Sequence, residues 1–93
     1  MPKYIVVKGN MGNDLGIPFT QAEFHADMAR RFGGDDSVLG AGEFSFYYDE
    51  RNEVYHLTCY GKSVSLDINS RGYEDALALK YSLFNDITEV ICH

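Results

Sequence analysis

Basic residues are few in this chain. Lysine and arginine together number 8 against 14 aspartate and glutamate residues, so the formal net charge at pH 7 is −6. Proteins that bind nucleic acid neutralise its phosphates with clustered lysine and arginine, so this charge argues against a nucleic-acid partner. The adjacent basic pair Arg30 and Arg31 has Asp27 nearby and is typical of a solvated helix face.

Long apolar runs are also missing. No stretch approaches the length of about 18 apolar residues that a membrane span needs, and no basic start is followed by an apolar run and a cleavage site. We therefore expect a soluble, cytoplasmic protein with no membrane partner.

Cysteine is scarce as well. Cys59 and Cys92 form no Cys-x-x-Cys pair, which favours a reduced cytosolic chain over a disulfide framework. His56 and Cys59 are three residues apart in a predicted strand and would point to opposite faces, so neither a zinc site nor another cofactor is expected. Cys59 is expected to be a buried thiol that packs like a small apolar residue.

Aromatic residues are plentiful, although tryptophan is absent. Seven tyrosines and six phenylalanines, in a chain that is 45% hydrophobic, are enough for a globular core. A chain of 93 residues cannot divide its apolar surface between two cores, so we expect a single domain over residues 1–93.

The first part of the chain predicts a strand and then a loop. Residues 3–8 are mostly apolar and β-branched or aromatic, which is typical of a strand buried on both faces near the middle of a sheet. Residues 9–16 are rich in glycine and asparagine and predict a flexible loop.

The middle of the chain predicts a β-hairpin. Residues 42–48 and 53–60 alternate in polarity on either side of a turn at 49–52, so odd and even positions fall on opposite faces of each strand. Further strands are predicted at 63–68, after a glycine that often marks a bulge or an approaching ligand, and at 87–92.

Two helices are predicted. The first follows Thr20, which forms a Thr-x-x-Glu capping box with Glu23, and it ends at Gly33 and Gly34. Its expected buried stripe is Phe24, Met28 and Phe32. The second helix is predicted from Tyr73 to about Phe84. The order of elements is therefore strand, helix, two or three strands, helix, strand, which predicts an α+β fold with two α-helices packed on a mixed sheet of four or five strands.

His25 lies beside the predicted stripe, near the positive end of the first helix. That position disfavours the imidazolium, so a neutral imidazole that can act as a base is expected near pH 7. Taken alone, the residue type is equally consistent with a histidine at the helix surface or at the edge of the core.

Four pieces of the chain, read in order, carry a family resemblance. They are Lys-Tyr-Ile-Val-Val at 3–7, Ala-Glu-Phe-His-Ala-Asp at 22–27, Leu-Gly-Ala-Gly at 39–42 and Tyr-Gly-Lys-Ser at 60–63. This series resembles the phosphohistidine phosphatase family, the janus/ocnus proteins, in its first strand, its aromatic-His-Ala-Asp segment, its glycine turn and its Tyr-Gly-x-Ser segment.

The resemblance implies a metal-independent phosphatase that acts on a phosphorylated protein or a small phosphorylated substrate. His25 matches the family's catalytic histidine and would be a general base for water or a direct nucleophile. The residues that would hold the phosphoryl group are Lys3, Gly61, Lys62, Ser63 and Ser65. Each of these also has an ordinary structural interpretation, as a strand-end lysine, a residue of a strand's polar face or a residue that protects an edge strand.

The chain departs from the family at two positions. Glu43 follows the glycine turn where the family has an arginine, and residues 15–18 replace a basic residue before the first helix. A carboxylate at position 43 would repel phosphate. The alternative is therefore a non-catalytic protein-binding module on the same fold, which would contact its partner through the tyrosine-rich face of Tyr47, Tyr48, Tyr55 and Tyr60.

Overall fold

The computed structural model describes residues 2–9, 13–20, 23–84, 86 and 89–93. The described residues form strands β1 (Lys3–Lys8), β2 (Asp14–Phe19), β3 (Val38–Asp49), β4 (Val54–Tyr60), β5 (Lys62–Ser63), β6 (Ile68–Asn69) and β7 (Val90–Cys92), with helices α1 (His25–Arg31) and α2 (Tyr73–Leu83). The main sheet has the strand order β2-β1-β3-β4-β7, and β5 pairs with β6 in a small second sheet. β7 runs parallel to β4, whereas the other neighbours are antiparallel, so the predicted α+β fold with a mixed sheet is confirmed.

β1 lies inside the sheet, as its apolar sequence predicts. Its residues Tyr4, Ile5, Val6 and Val7 are all buried. Because successive side chains alternate, Tyr4 and Val6 point toward α2, whereas Ile5 and Val7 point toward α1. We call these two sides of the sheet the α2 face and the α1 face.

Each face of the sheet has its own core. On the α2 face the buried residues are Tyr4, Val6, Phe44, Leu57, Cys59, Ala76, Ala78, Leu79 and Val90. On the α1 face they are Ile5, Val7, Ile17, Met28, Ala29 and Ala41, with Leu66 and Ile68 packed against them. Cys59 is a buried thiol, as predicted, and burial raises its pKa to about 12. Neither described α-helix is long and apolar enough to cross a membrane.

The prediction of a loop over residues 9–16 is wrong in its second half, and residues 10–12 lie outside the described part of the chain. Asp14–Phe19 forms β2, an edge strand that pairs with β1. An edge position tolerates Pro18, whose missing N–H would break the ladder of a central strand. Gly16 is needed for packing, because a Cβ there would lie 2.8 Å from the Leu79 Cα of α2.

The predicted start of the first helix is also wrong. α1 begins at His25, its N-cap is Phe24 without a side-chain cap, and Thr20 only accepts a turn hydrogen bond from the Glu23 N–H. Ser65 takes over part of the capping, since its hydroxyl oxygen accepts a 3.2 Å hydrogen bond from the Ala26 N–H. The end of the helix agrees with the prediction, because the chain leaves it through two glycines with positive φ.

The predicted buried stripe of α1 is wrong at two of its three positions. Phe24 and Phe32 are 65% and 40% exposed, whereas Met28 is buried. The buried residues of α1 are instead His25, Met28 and Ala29, which share one face at spacings of three and four. α1 begins at His25, and this residue lies on the buried face of the helix.

The β-hairpin of β3 and β4 is confirmed, including the alternation of its faces. The single strand predicted over 63–68 is wrong, because residues 64–67 turn and the chain instead forms the short strands β5 and β6. The second helix is confirmed over Tyr73–Leu83. The predicted terminal strand is present as Val90–Cys92, while Ile87 and Thr88 lie outside the described residues.

A buried carboxylate fastens α2 to the sheet. Asp75 is fully buried and accepts hydrogen bonds from the Tyr4 hydroxyl at 2.6 Å, the Arg71 N–H at 2.9 Å and the Arg71 guanidinium at 2.7 Å. Gly40 of β3 makes room for this group, because a Cβ at that position would collide with the carboxylate. A buried charge with this many partners holds its elements in one arrangement.

We expect Asp75→Asn to lower the free energy of unfolding by roughly 3 kcal/mol, because the amide lacks the charge that pairs with Arg71 and turns one of the two acceptor oxygens into a donor facing other donors. The matched control is Glu74→Gln, which also removes a carboxylate near Arg71, from a side chain that is 71% exposed. That control should cost less than about 0.5 kcal/mol. Urea denaturation of both variants measures the difference, and equal losses would contradict the role given to Asp75.

Candidate functional site

His25 is held between two strands of the sheet. Its side chain is only 6% exposed, and its Nε2 lies 3.0 Å from the carbonyl oxygen of Gly42 in β3. The ring of Phe19 on β2 packs against the imidazole in an edge-on arrangement, with centroids 5.1 Å apart. These contacts fix both the position and the orientation of the imidazole.

The Gly42 carbonyl also selects the tautomer of the neutral His25 ring. A carbonyl can only accept a hydrogen bond, so Nε2 donates and a neutral ring carries its lone pair on Nδ1. Burial lowers the pKa of His25 below its ordinary value, and the nearby Lys3 ammonium lowers it further, against the opposing effects of the Gly42 carbonyl and Glu43. The neutral base expected from the sequence is therefore favoured, mainly because of burial.

Lys3 lies at the entrance to α1. Its ammonium donates a 3.0 Å hydrogen bond to the Glu23 carbonyl oxygen and lies 5.8 Å from the centre of the Phe24 ring. On the sheet, Lys3 is paired with Phe19 of β2 on one side and with Glu43 of β3 on the other. This strand-end lysine is therefore part of the surroundings of His25.

Glu43 stands in the same row of the sheet. It pairs with Lys3 across β1 and with Tyr60 across β4, so all three side chains lie on the α1 face. Partial burial and the Glu43 carboxylate raise the pKa of the Tyr60 hydroxyl. The acidic residue that replaces the family's arginine thus stands beside the candidate site and does not point away from it.

Ser65 and Ser63 connect the β5–β6 turn to α1. The Ser65 hydroxyl oxygen accepts from the Ala26 N–H, one residue after His25, and lies 3.4 Å from the Ser63 hydroxyl oxygen. Ser63 is fully buried, and its hydroxyl oxygen accepts a 3.1 Å hydrogen bond from the Leu66 N–H. Ser65 therefore borders the site, whereas Ser63 is buried and stabilises the β5–β6 turn through its hydrogen bond with Leu66.

Gly61 and Lys62 lie in the turn that follows β4. Gly61 has a φ of 79°, and a Cβ there would meet no atom within 4 Å, so the backbone conformation is what favours glycine. Lys62 is exposed and pairs with Asn69 in the small sheet. Both residues belong to the connection that leads from Tyr60 to the serines.

The glycines of the Leu-Gly-Ala-Gly segment have structural causes. A Cβ on Gly42 would collide with the carbonyl oxygen of Tyr60, just as a Cβ on Gly40 would collide with Asp75. Ala41 between them is fully buried on the α1 face. The segment is therefore small because its surroundings are crowded, and the carbonyl of its last glycine accepts the hydrogen bond from His25.

The four tyrosines expected to form one surface are divided between the two faces of the sheet. Tyr47 and Tyr60 lie on the α1 face, whereas Tyr48 and Tyr55 lie on the α2 face with their ring centroids 4.9 Å apart. The prediction of a single tyrosine-rich face is wrong. Side chains alternate along each strand, so the adjacent Tyr47 and Tyr48 point to opposite faces of the sheet.

A second polar cluster was not anticipated from the sequence. It consists of Asp49, His56 and His93, and Tyr47 stacks on the ring of His56. The alternation in the hairpin already places Tyr47 and His56 on one face, but His93 joins them only through the pairing of β7 with β4. Within the described ranges, no three His, Cys, Asp or Glu side chains converge as metal ligands.

Comparisons with protein-family models, curated proteins and solved structures gave no match for this chain. The resemblance to the phosphohistidine phosphatases therefore depends on the four sequence pieces, and the functional argument depends on the geometry around His25.

Proposed function

We propose that this protein is a metal-independent phosphatase of the phosphohistidine phosphatase type, which hydrolyses a phosphoryl group on a protein side chain with His25 as its base. The observation that carries the proposal is the hydrogen bond between the His25 Nε2 and the Gly42 carbonyl. It makes Nε2 the protonated nitrogen, so the neutral imidazole that burial and Lys3 favour has its lone pair on Nδ1.

The hydrolysis of phosphohistidine needs few catalytic groups. The P–N bond of phosphohistidine is already labile, so catalysis consists mainly of placing the attacking group and stabilising charge on the phosphoryl oxygens. In the proposed reaction the His25 Nδ1 accepts a proton from water as the water oxygen bonds to phosphorus. The P–N bond breaks and its electron pair stays on the departing imidazole nitrogen, which takes a proton from solvent. The proton on His25 is released to solvent, so neutral histidine and inorganic phosphate are the products.

The low exposure of His25 favours one of its two candidate roles. Direct attack would require Nδ1 to come within bonding range of phosphorus, which is difficult for an imidazole that is 6% exposed. A general base needs only a single water molecule between itself and the substrate. We therefore assign His25 the role of general base and Lys3 the role of neutralising the phosphoryl oxygens.

Glu43 opposes substrate binding in this account. It lies opposite Lys3 in the register of β1 and β3, so its carboxylate offsets the lysine's charge where the phosphoryl group would bind. A charge-assisted hydrogen bond is worth about 1.5–3 kcal/mol, and the arginine that the family has at this position would supply one. Weak affinity for phosphate is the expected consequence.

The position of Glu43 also favours a second candidate, a non-catalytic binding module that keeps the fold but not the activity. In that case His25 is a buried structural histidine that joins α1 to β3 through Gly42. The two candidates differ in one respect that can be measured, because only the phosphatase releases phosphate.

The test of the first candidate is the hydrolysis of a phosphohistidine peptide. We expect His25→Ala to reduce the rate by about 10²–10⁴-fold, the usual contribution of a general base. His56→Ala is the matched control, because this histidine lies on the same sheet but outside the site, and it should retain the rate. Equal rates for the wild type and His25→Ala, or no hydrolysis by either, would reject the phosphatase and favour the binding module.

The role of Glu43 is tested by Glu43→Arg, which restores the family's residue. We expect the KM for the phosphohistidine peptide to fall about ten-fold, because the new guanidinium binds the phosphoryl oxygens in place of a repelling carboxylate. Glu50→Arg is the control, since it makes the same change of charge in the exposed hairpin turn. A similar effect from both variants would indicate a general charge effect, and no effect from either would place Glu43 outside the substrate's reach.

A further inference from the structure

Among the described residues, no helix or further strand covers one part of the α1 face. α1 packs on β1, and the small β5–β6 sheet covers the beginning of β3, whereas α2 contacts β4 and β7 from the opposite face. The remaining area, which we call the open face, is lined by Ser45, Tyr47, His56, Thr58, Ile91 and His93. Tyr47 and Ile91 are 56% and 43% exposed there.

The aromatic rings of the open face are held in a fixed order. Tyr47 stacks on His56 with centroids 5.1 Å apart, and the ring of His93 lies edge to edge with that of His56 and roughly parallel to it, with centroids 5.0 Å apart. Hydrogen bonds hold the same rings, since the His56 Nε2 donates to the Asp49 carboxylate at 3.1 Å and the His56 Nδ1 lies 2.8 Å from the His93 Nε2. Because a carboxylate only accepts, the neutral His56 accepts at Nδ1 and His93 donates.

Carboxylates border the open face at both ends of its part of β3. Glu43 and Asp49 lie on the same side of the sheet, and β3, β4 and β7 contain no lysine or arginine, although Lys3 of β1 pairs with Glu43. The side chain of Asn52 and then His56 hold the pKa of Asp49 down to about 2, so its carboxylate stays ionised. The preformed aromatic rings therefore stand beside fixed negative charge.

We propose that the open face docks a segment of a partner protein that presents an arginine side chain. A guanidinium is planar, stacks on aromatic rings and is attracted by negative charge, so it matches the exposed ring of Tyr47 beside the ionised Asp49. The carboxylate attracts it through its charge, because its oxygens already accept hydrogen bonds from Arg51, Asn52 and His56. Ile91 supplies an apolar contact at the edge of the same surface. Because the rings are already ordered, binding costs little of their conformational entropy.

Charge also favours an arginine segment over a second copy of the chain or a nucleic acid as the occupant of the open face. A second copy of the chain would bring the same acidic surface to an isologous contact, with a net charge of −6 on each copy. A nucleic acid would meet carboxylates where it needs cations. The docking of an arginine segment does not depend on the phosphoryl chemistry, since none of its contacts involves His25.

The experiment is a titration of the 15N-labelled protein with a synthetic peptide of alternating serine and arginine, followed by amide NMR. We expect the amide signals of Tyr47, His56, Thr58 and Ile91 to shift, and the same peptide with citrulline in place of arginine to bind more weakly. Tyr47→Ala should weaken binding of the arginine peptide about two- to five-fold, the value of an exposed cation–π contact. Tyr48→Ala is the matched control, because its side chain is 47% exposed on the opposite face, and it should leave binding unchanged.

Four results would overturn the proposal: no binding of the arginine peptide, equal binding of the citrulline peptide, signal changes away from the open face, or equal effects of Tyr47→Ala and Tyr48→Ala. A dimer in light scattering that Tyr47→Ala abolishes would show that a second copy occupies the face instead. His25→Ala should bind the arginine peptide as the wild type does, so a failure of the phosphatase proposal would leave this result unchanged.

Discussion

The structure depends on the absence of side chains at two positions in the middle of β3. Gly40 leaves the space that the buried carboxylate of Asp75 occupies, and Gly42 leaves the space of the Tyr60 carbonyl. Ala41 between them fills the core under α1. α2 therefore comes close to the sheet at Gly40, and a larger residue there would push this helix away, whereas a larger residue at Gly42 would collide with the end of β4 and crowd Ser70.

The candidate site is a consequence of that close packing. Because α1 begins beside β3, its first residue His25 donates a hydrogen bond to the Gly42 carbonyl and is largely buried. Burial and Lys3 then keep the imidazole neutral. Glu43, the next residue along β3, adds the opposite charge. A single short segment therefore determines both the tautomer of His25 and the negative charge that would oppose a phosphoryl group in the proposed reaction.

The sequence predicts those elements whose stability is local. The buried β1 and the β3–β4 hairpin follow from β propensity and alternation, and α2 follows from its helix-forming residues. The sequence does not predict β2, because Gly16 and Pro18 are typical of a loop. Only the structure shows that β2 is an edge strand and that Gly16 lies against Leu79. The start of α1 is missed for a similar reason, since Ser65, far along the chain, caps it. Likewise, only the parallel pairing of β7 brings His93 to His56.

The protonation form of His25 is the central claim of this account, and NMR of the imidazole nitrogens tests it most directly. Long-range 1H–15N spectra of the 15N-labelled protein, recorded across the pH range, report which nitrogen carries the proton and where the ring titrates. The account predicts a proton on Nε2 at pH 7 and a pKa below the ordinary value of 6.5, because burial and Lys3 disfavour the imidazolium. A proton on Nδ1, or a pKa above that value, would contradict it.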